Sequence, residues 1–169
     1  GDRAVAIGLN ALAAQNFTTS MDNYNVGVGY TAGASVTTGT ENALIGGLAG
    51  NALTDADFNV ALGASALTAD TLGSSSTAIG TSALQAQNFT TATSALNVAV
   101  GFQAGLTVTT GVQNTLIGAS AGDALTIGRD NVAVGYASLT SDTKGTDAVA
   151  VGKGALQNQN FTTETANYN

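Results

Sequence analysis

The sequence predicts an all-β chain, a parallel β-roll or β-solenoid built from coils of 17 and 21 residues. Three observations predict it: a five-residue strand unit repeated nine times, a closing glycine at regular spacing, and a composition short of bulky side chains. The units are AVAIG (4–8), NVGVG (25–29), NALIG (42–46), NVALG (59–63), STAIG (76–80), NVAVG (97–101), NTLIG (114–118), NVAVG (131–135) and AVAVG (148–152). Their closing glycines, from Gly8 to Gly152, are set at intervals of 21, 17, 17 and 17, and the same series then repeats. Self-similarity at such a period marks a solenoid, in which one repeat buries too little alone and stacking creates the core.

Four coils make one super-repeat, so that Gly1, Gly73 and Gly145 open equivalent copies. The array divides into 1–72, 73–144 and a truncated third copy, 145–169, and is expected to belong to a longer continuous fibre. The long coils carry AQNFTT at 14–19 and 86–91 and NQNFTT at 158–163, and their four extra residues follow that hexapeptide.

Within each unit apolar residues alternate with a period of two, which reads as a strand. The residue before the glycine is always branched and apolar, as is usually the residue two before it. The solenoid core is therefore expected at Val5, Ile7, Val26, Val28, Ile45, Val60, Leu62, Ile79, Val98, Val100, Ile117, Val132, Val134, Val149 and Val151. The opposite side carries Ala6, Ala61, Ala78, Ala99, Ala133 and Ala150, with Gly27, Leu44 and Leu116 as exceptions. Both faces are apolar, so both are expected to be buried, the small-residue face against a closely approaching partner.

An Asn stands before most strands, at Asn25, Asn42, Asn59, Asn97, Asn114 and Asn131. Repetition in coil after coil predicts a stacked amide ladder. After the glycine, a second strand is expected around Ala11, Ala32, Ala49, Ala66, Ala83, Ala104, Ala121, Ser138 and Ala155, followed by a polar turn. Repeated Gly and β-branched residues disfavour a helix.

Composition narrows the function. The chain has 11 acids and 4 bases, a net charge of −7, which suits solubility and disfavours nucleic acid. It has no Cys, hence no disulfide framework or thiol chemistry, and no His. No apolar run approaches the roughly 18 residues of a membrane span. No nucleotide-binding glycine motif appears, and the paired acids Asp55 and Asp57 become Ile127 and Arg129 one super-repeat later. Catalytic, cofactor-binding and metal-binding residues are accordingly expected to be absent, and the chain is not expected to be an enzyme.

The units NVAVG-x-x-A and NTLIG-x-x-A resemble the head repeats of trimeric autotransporter adhesins. The longer stretch NVAVGFQAGLTVTTGVQNTLIG (97–118) resembles more closely the repeats of bacteriophage tail fibres and other virion fibres. The resemblance spans the whole chain. It implies a left-handed roll, three copies packed side by side as a homotrimer, and an extracellular place on a virion surface or, alternatively, a bacterial cell surface. It also implies a structural fibre segment serving host attachment by reach and multivalent display, through a surface glycan or protein receptor. The alternatives are an adhesin head segment or a self-assembling surface filament.

Within the fibre, Phe17, Tyr24, Phe89, Phe161 and Tyr168 on or near the long-coil insertions are candidates for stacking on a glycan; the competing expectation is that Phe packs beneath its own loop. The Asn-Phe-Thr sequons at Asn16, Asn88 and Asn160 are read as incidental. Asp55, Asp57, Asp70, Asp123, Asp130, Asp142 and Asp147 are read as solvated turn residues, and the Thr pairs as too irregular for an ice-binding face.

Overall fold

The computed structural model describes residues 3–168, and among these there is no helix. The strands, in chain order, are β1 (Val5–Ile7), β2 (Val26–Val28), β3 (Ala43–Ile45), β4 (Val60–Leu62), β5 (Gly73–Ser74), β6 (Thr77–Ile79), β7 (Thr93–Ser94), β8 (Val98–Val100), β9 (Thr115–Ile117), β10 (Val132–Val134), β11 (Gly145–Thr146), β12 (Val149–Val151) and β13 (Thr165–Ala166). β-branched residues at alternate positions favour these extended segments. The three-residue strands each belong to one coil, numbered 1 to 9 here, and stack as one nine-stranded parallel sheet in the order β1-β2-β3-β4-β6-β8-β9-β10-β12. Equivalent residues pair from coil to coil, Val98 with Thr77 on one side and Thr115 on the other. The chain is thus a β-solenoid. Two small parallel pairs, β5 with β7 and β11 with β13, join each of the long coils 5 and 9 to the short coil before it.

The sheet faces the opposite way from the expectation. None of the fifteen residues assigned to the core is buried: Val5, Ile7, Val26, Val28, Ile45, Val60, Leu62, Ile79, Val98, Val100, Ile117, Val132, Val134, Val149 and Val151 all lie on the outer face, half-buried or exposed. The interior is lined instead by the residue between them: Gly27, Leu44, Ala61, Ala78, Ala99, Leu116, Ala133 and Ala150 are buried. The physical reason is parity along the strand. Each Asn and the middle strand residue are two positions apart and share a face. An amide ladder needs the sheltered side, and it carries the Ala column inside with it.

The wall after the glycine also differs from the expectation of a second strand. Residues 8–14 and their equivalents form consecutive turns. In each coil the second and fourth residues past the glycine take positive φ, as at Leu48 (63°) with Gly50 (53°) and Ser65 (57°) with Leu67 (52°). Such conformations cost a non-glycine residue about 1–2 kcal/mol. They recur because they direct amides alternately to the two neighbouring coils: Leu48 N donates to Tyr30 O at 2.9 Å, and Gly50 N to Ala66 O at 2.9 Å. The strand-closing glycine is demanded more strictly. Gly63 has φ +139°, and a Cβ there would stand 2.6 Å from the Gly80 carbonyl.

The interior is narrow enough that volumes are traded within it. Coils 3 and 7 place Leu44 and Leu116 on the strand and Gly50 and Gly122 on the turn wall; coils 4 and 8 place Ala61 and Ala133 on the strand and Leu67 and Leu139 on the wall. In coils 2 and 6 the wall residues are Gly33 and Gly105, and neighbouring leucines fill the space, since a Cβ on Gly33 would meet Leu44 at 2.6 Å and Leu12 at 2.8 Å. The super-repeat is thus a packing period of four coils. Leu116→Ala should lower stability by about 2–5 kcal/mol through the cavity it leaves, and Gly122→Leu should overpack the same space. The double variant should be more stable than either single one in denaturant unfolding, because it exchanges the two volumes.

Candidate functional site

Two features stand out from the coil pattern: an apolar outer face and a polar spine inside. The outer face follows directly from the inverted sheet. Two columns of Val, Ile and Leu, interrupted by Ala43, Thr77 and Thr115, run its full length. The nine strands of this sheet carry no charged residue. Exposure at the first and last strands reaches 59% at Ile7 and 66% at Val151. Tyr24, Phe58 and Leu96, just before the Asn position, and Leu9, Tyr30, Phe102 and Tyr136, just after the glycine, are exposed beside it. A contiguous apolar band of this extent is rare on the surface of a monomeric soluble protein.

The spine is built from the six Asn residues, all buried. Asn42 donates its Nδ2 to Asn25 Oδ1 at 3.2 Å and its backbone N–H to the same oxygen at 2.9 Å; Asn59 repeats both bonds onto Asn42 at 3.2 and 3.0 Å. Each Nδ2 also closes its coil by donating to a carbonyl 14 residues later, as Asn97 does to Gly111 O at 2.7 Å. The column lacks Asn at Ser76, and there Gln87 replaces it. Asn97 Nδ2 donates to Gln87 Oε1 at 2.8 Å, while Gln87 Nε2 donates to Ser76 Oγ at 3.0 Å and Asp70 Oδ2 at 2.6 Å.

Asp70 and Asp142 therefore correct the reading of solvated turn acids: both are fully buried. Asp70 Oδ1 accepts from Gly73 N and Phe89 N, each at 3.0 Å, and Asp142 repeats the arrangement with Gly145 N, Phe161 N and Gln159 Nε2. A carboxylate suits this place because every neighbour is a donor. It anchors the start of the insertion to the preceding coil. The signal available in the sequence was the pairing of Asp70 with Gln87 one coil later, on the column that elsewhere holds Val36, Leu53, Val108 and Leu125.

The five aromatic candidates do not converge. Phe89 is buried at 6% beneath its loop, against Gly73, and is withdrawn as a ligand contact. Phe17 and Phe161 occupy the equivalent place in coils 1 and 9, half-buried. Tyr24 and Tyr168 are exposed, outside the insertion and beside the apolar face. The Tyr24 hydroxyl accepts from Arg3 Nη1 at 2.6 Å and donates to Asp22 Oδ2 at 3.2 Å, and Arg3 pairs with Asp22 at 3.0 Å. Asn16, Asn88 and Asn160 are exposed. The Thr residues contain a column absent from the sequence reading: Thr37, Thr54, Thr109 and Thr126 turn their hydroxyls along the solenoid onto the carbonyl of the equivalent residue in the next coil, at 2.8–3.2 Å. Among the described residues no pocket opens, and no cluster of three or more His, Cys, Asp or Glu side chains is poised to hold a metal ion.

Compared with known proteins, the chain matches no family model, no curated protein and no solved structure. The class it belongs to is therefore defined by its own geometry, a parallel β-solenoid with an amide spine and an apolar outer sheet.

The spine has a direction, and from Asn131 through Asn114, Asn97 and Gln87 each amide donates toward the Asp70 carboxylate, which ends that run. Asp70→Asn puts an NH₂ against donors, and flipping Gln87 only moves the conflict to Asn97. One buried donor is then left unpaired, so unfolding should show a loss of about 1–3 kcal/mol. Asp55→Asn, on the exposed turn, should show no comparable loss.

Proposed function

We propose that the chain is a shaft segment of an extracellular fibre, of the tail-fibre type carried by virions, that assembles as a homotrimer with its apolar sheets turned inward and serves attachment by reach and repeated display. The observation that carries this is the uncharged Val/Ile/Leu band on the outer face of all nine strands. Water does not tolerate such a band on an isolated acidic chain. A second and third copy would remove it from solvent. Fully burying one such side chain is worth about 1.5–3 kcal/mol, so a column of them outweighs the entropy of association.

The repeat also supports the reading of reach. Parallel strands are spaced about 4.8 Å apart, so nine coils extend about 40 Å, and each added super-repeat lengthens the shaft by about 19 Å. The insertions of coils 1, 5 and 9 recur at that interval on every chain. Contacts too weak alone gain avidity from this array. The aromatic side chain at the middle insertion is tucked in, so attachment through it would use Thr90, Thr91 and Ala92, which are exposed.

Native mass spectrometry of the chain should give a trimer. Val98→Asp with Val100→Asp, both on the outer face of β8, should convert it to a monomer at the same concentration while the circular dichroism of the folded chain persists. A monomeric parent chain would overturn the reading.

A further inference from the structure

We propose that the row of residues leading into the strands holds a linear, uncharged β-1,4-linked polysaccharide along the shaft, one disaccharide to every two coils. The proposal rests on the attachment reading above and gives it a ligand class and a place, at the edge of the sheet rather than on its Val/Ile band.

The first observation is a period of two coils on the surface. One row of side chains precedes each Asn position, and a second row follows each strand-closing glycine. Every aromatic residue in either row stands at an even-numbered coil: Tyr24 and Tyr30 at coil 2, Phe58 at coil 4, Phe102 at coil 6 and Tyr136 at coil 8. The odd coils have none. In the leading row, Tyr24, Phe58 and Leu96 therefore make three successive apolar platforms, about 9.6 Å apart. Between and beside them stand Arg3, Glu41, Ser75 and Gln113, each able to hydrogen-bond.

The fold does not impose this spacing. Interior packing repeats every four coils, and coils 2 and 4 differ inside although both present an aromatic residue outside. Rings on adjacent coils, about 4.8 Å apart, would gain by stacking on one another. Placing them two coils apart gives up that gain and leaves ring faces open.

A second observation is the backbone that carries the leading row. Tyr24, Phe58 and Leu96 hold φ of 50°, 60° and 54°, a region in which bulky side chains are outliers and glycine is at ease. They are 46%, 53% and 50% exposed, so burial offsets little of that cost. Strain of this kind gathers at functional sites. The polar members of the row share the conformation, which aims all of these side chains the same way, in a line along the axis. Arg3 fixes the first platform, lying 5.6 Å from the Tyr24 ring and donating to its hydroxyl.

The ligand class follows from the line and its period. A β-1,4-linked hexopyranose chain is extended and turns over at each residue, so it shows the same ring face once per disaccharide, at a repeat close to two coils. The C–H groups on that face suit the negative face of an aromatic ring, and the equatorial hydroxyls at its rim reach toward the polar side chains of the odd coils. An α-1,4-linked chain coils away from such a line. The net charge of −7 disfavours uronate or sulfated polymers. One platform on an open surface holds a sugar weakly, and three on one chain add avidity.

The full chain would be titrated calorimetrically with cellohexaose, chitohexaose and maltohexaose, each long enough for three platforms, and with the matching disaccharides. At least one β-1,4 hexamer should bind about tenfold or more tighter than maltohexaose and than its own disaccharide. Phe58→Ser should weaken that binding about tenfold. Phe58→Ser with Ser75→Phe returns the ring to the same row one coil away, and should recover none of the loss. Both variants should keep the native mass of the parent chain. A changed mass in either places Phe58 between copies and overturns the proposal, as does recovery by the shifted ring, equal binding of maltohexaose, or failure of both β-1,4 hexamers to bind. An array of glycans of other linkages separates the two readings. Binding there that Phe58→Ser does not weaken overturns the row and leaves attachment standing, whereas no binding to the array or to any hexamer overturns attachment through a glycan as well.

Discussion

The rest of the structure depends on the coil-to-coil backbone hydrogen bond. Parallel strands can pair only at about 4.8 Å, and every coil must present its amides and carbonyls at the same places as the coils above and below it. In the strand wall Val26 N reaches Asn42 O at 2.8 Å, and in the turn wall Leu67 N reaches Ala83 O at 3.0 Å. Both walls of one coil are thus set by both walls of the next. This is why residues as ill-suited to positive φ as Thr31 and Leu84 hold it: the ladder on either side over-determines the backbone, and the local cost is offset by bonds to two neighbours.

A backbone repeated so closely leaves side chains as the only variable. The interior has room for about one leucine per coil near the strand, and whether it comes from the strand, as Leu116 does, or from the turn wall, as Leu139 does, is free so long as the opposite position shrinks. Where the column beyond the wall turns polar, at Asp70 and Asp142, the change brings a Gln from the following coil with it. The polar layer recurs where the insertion begins, and the two are one feature: the carboxylate that completes the amide spine also receives the backbone N–H of Phe89 or Phe161. The insertion is rooted in the core, and its aromatic ring is part of that root.

The same economy shapes the outside. The interior takes Ala, Leu and the two valines Val36 and Val108, while the branched residues of the strands stand on the outer sheet, where they are a liability on a single chain. The apolar residues are in this sense divided between a packed interior of Ala, Leu and Val beside the Asn spine, and an outer layer of Val and Ile that the single chain leaves half-buried or exposed.

Much of this was legible in the residues alone. The coil lengths, the parallel stacking, the four-coil period, the Asn column and the strand-closing glycine follow from spacing, because a repeating backbone must repeat its special residues. The Asp70–Gln87 and Thr columns were legible only once successive coils were aligned on their glycines, and the turn wall was misread because Ala beside Leu or Gly carries no period that separates strand from turn. Which face of the sheet turns inward was decided by tertiary structure. A period of two is symmetric between faces, and hydrophobicity favoured the wrong one. The choice came from the clasp of each buried Asn onto the turn 14 residues later, which draws the strand's Asn and Ala side against the wall of turns and leaves the Val and Ile side outside.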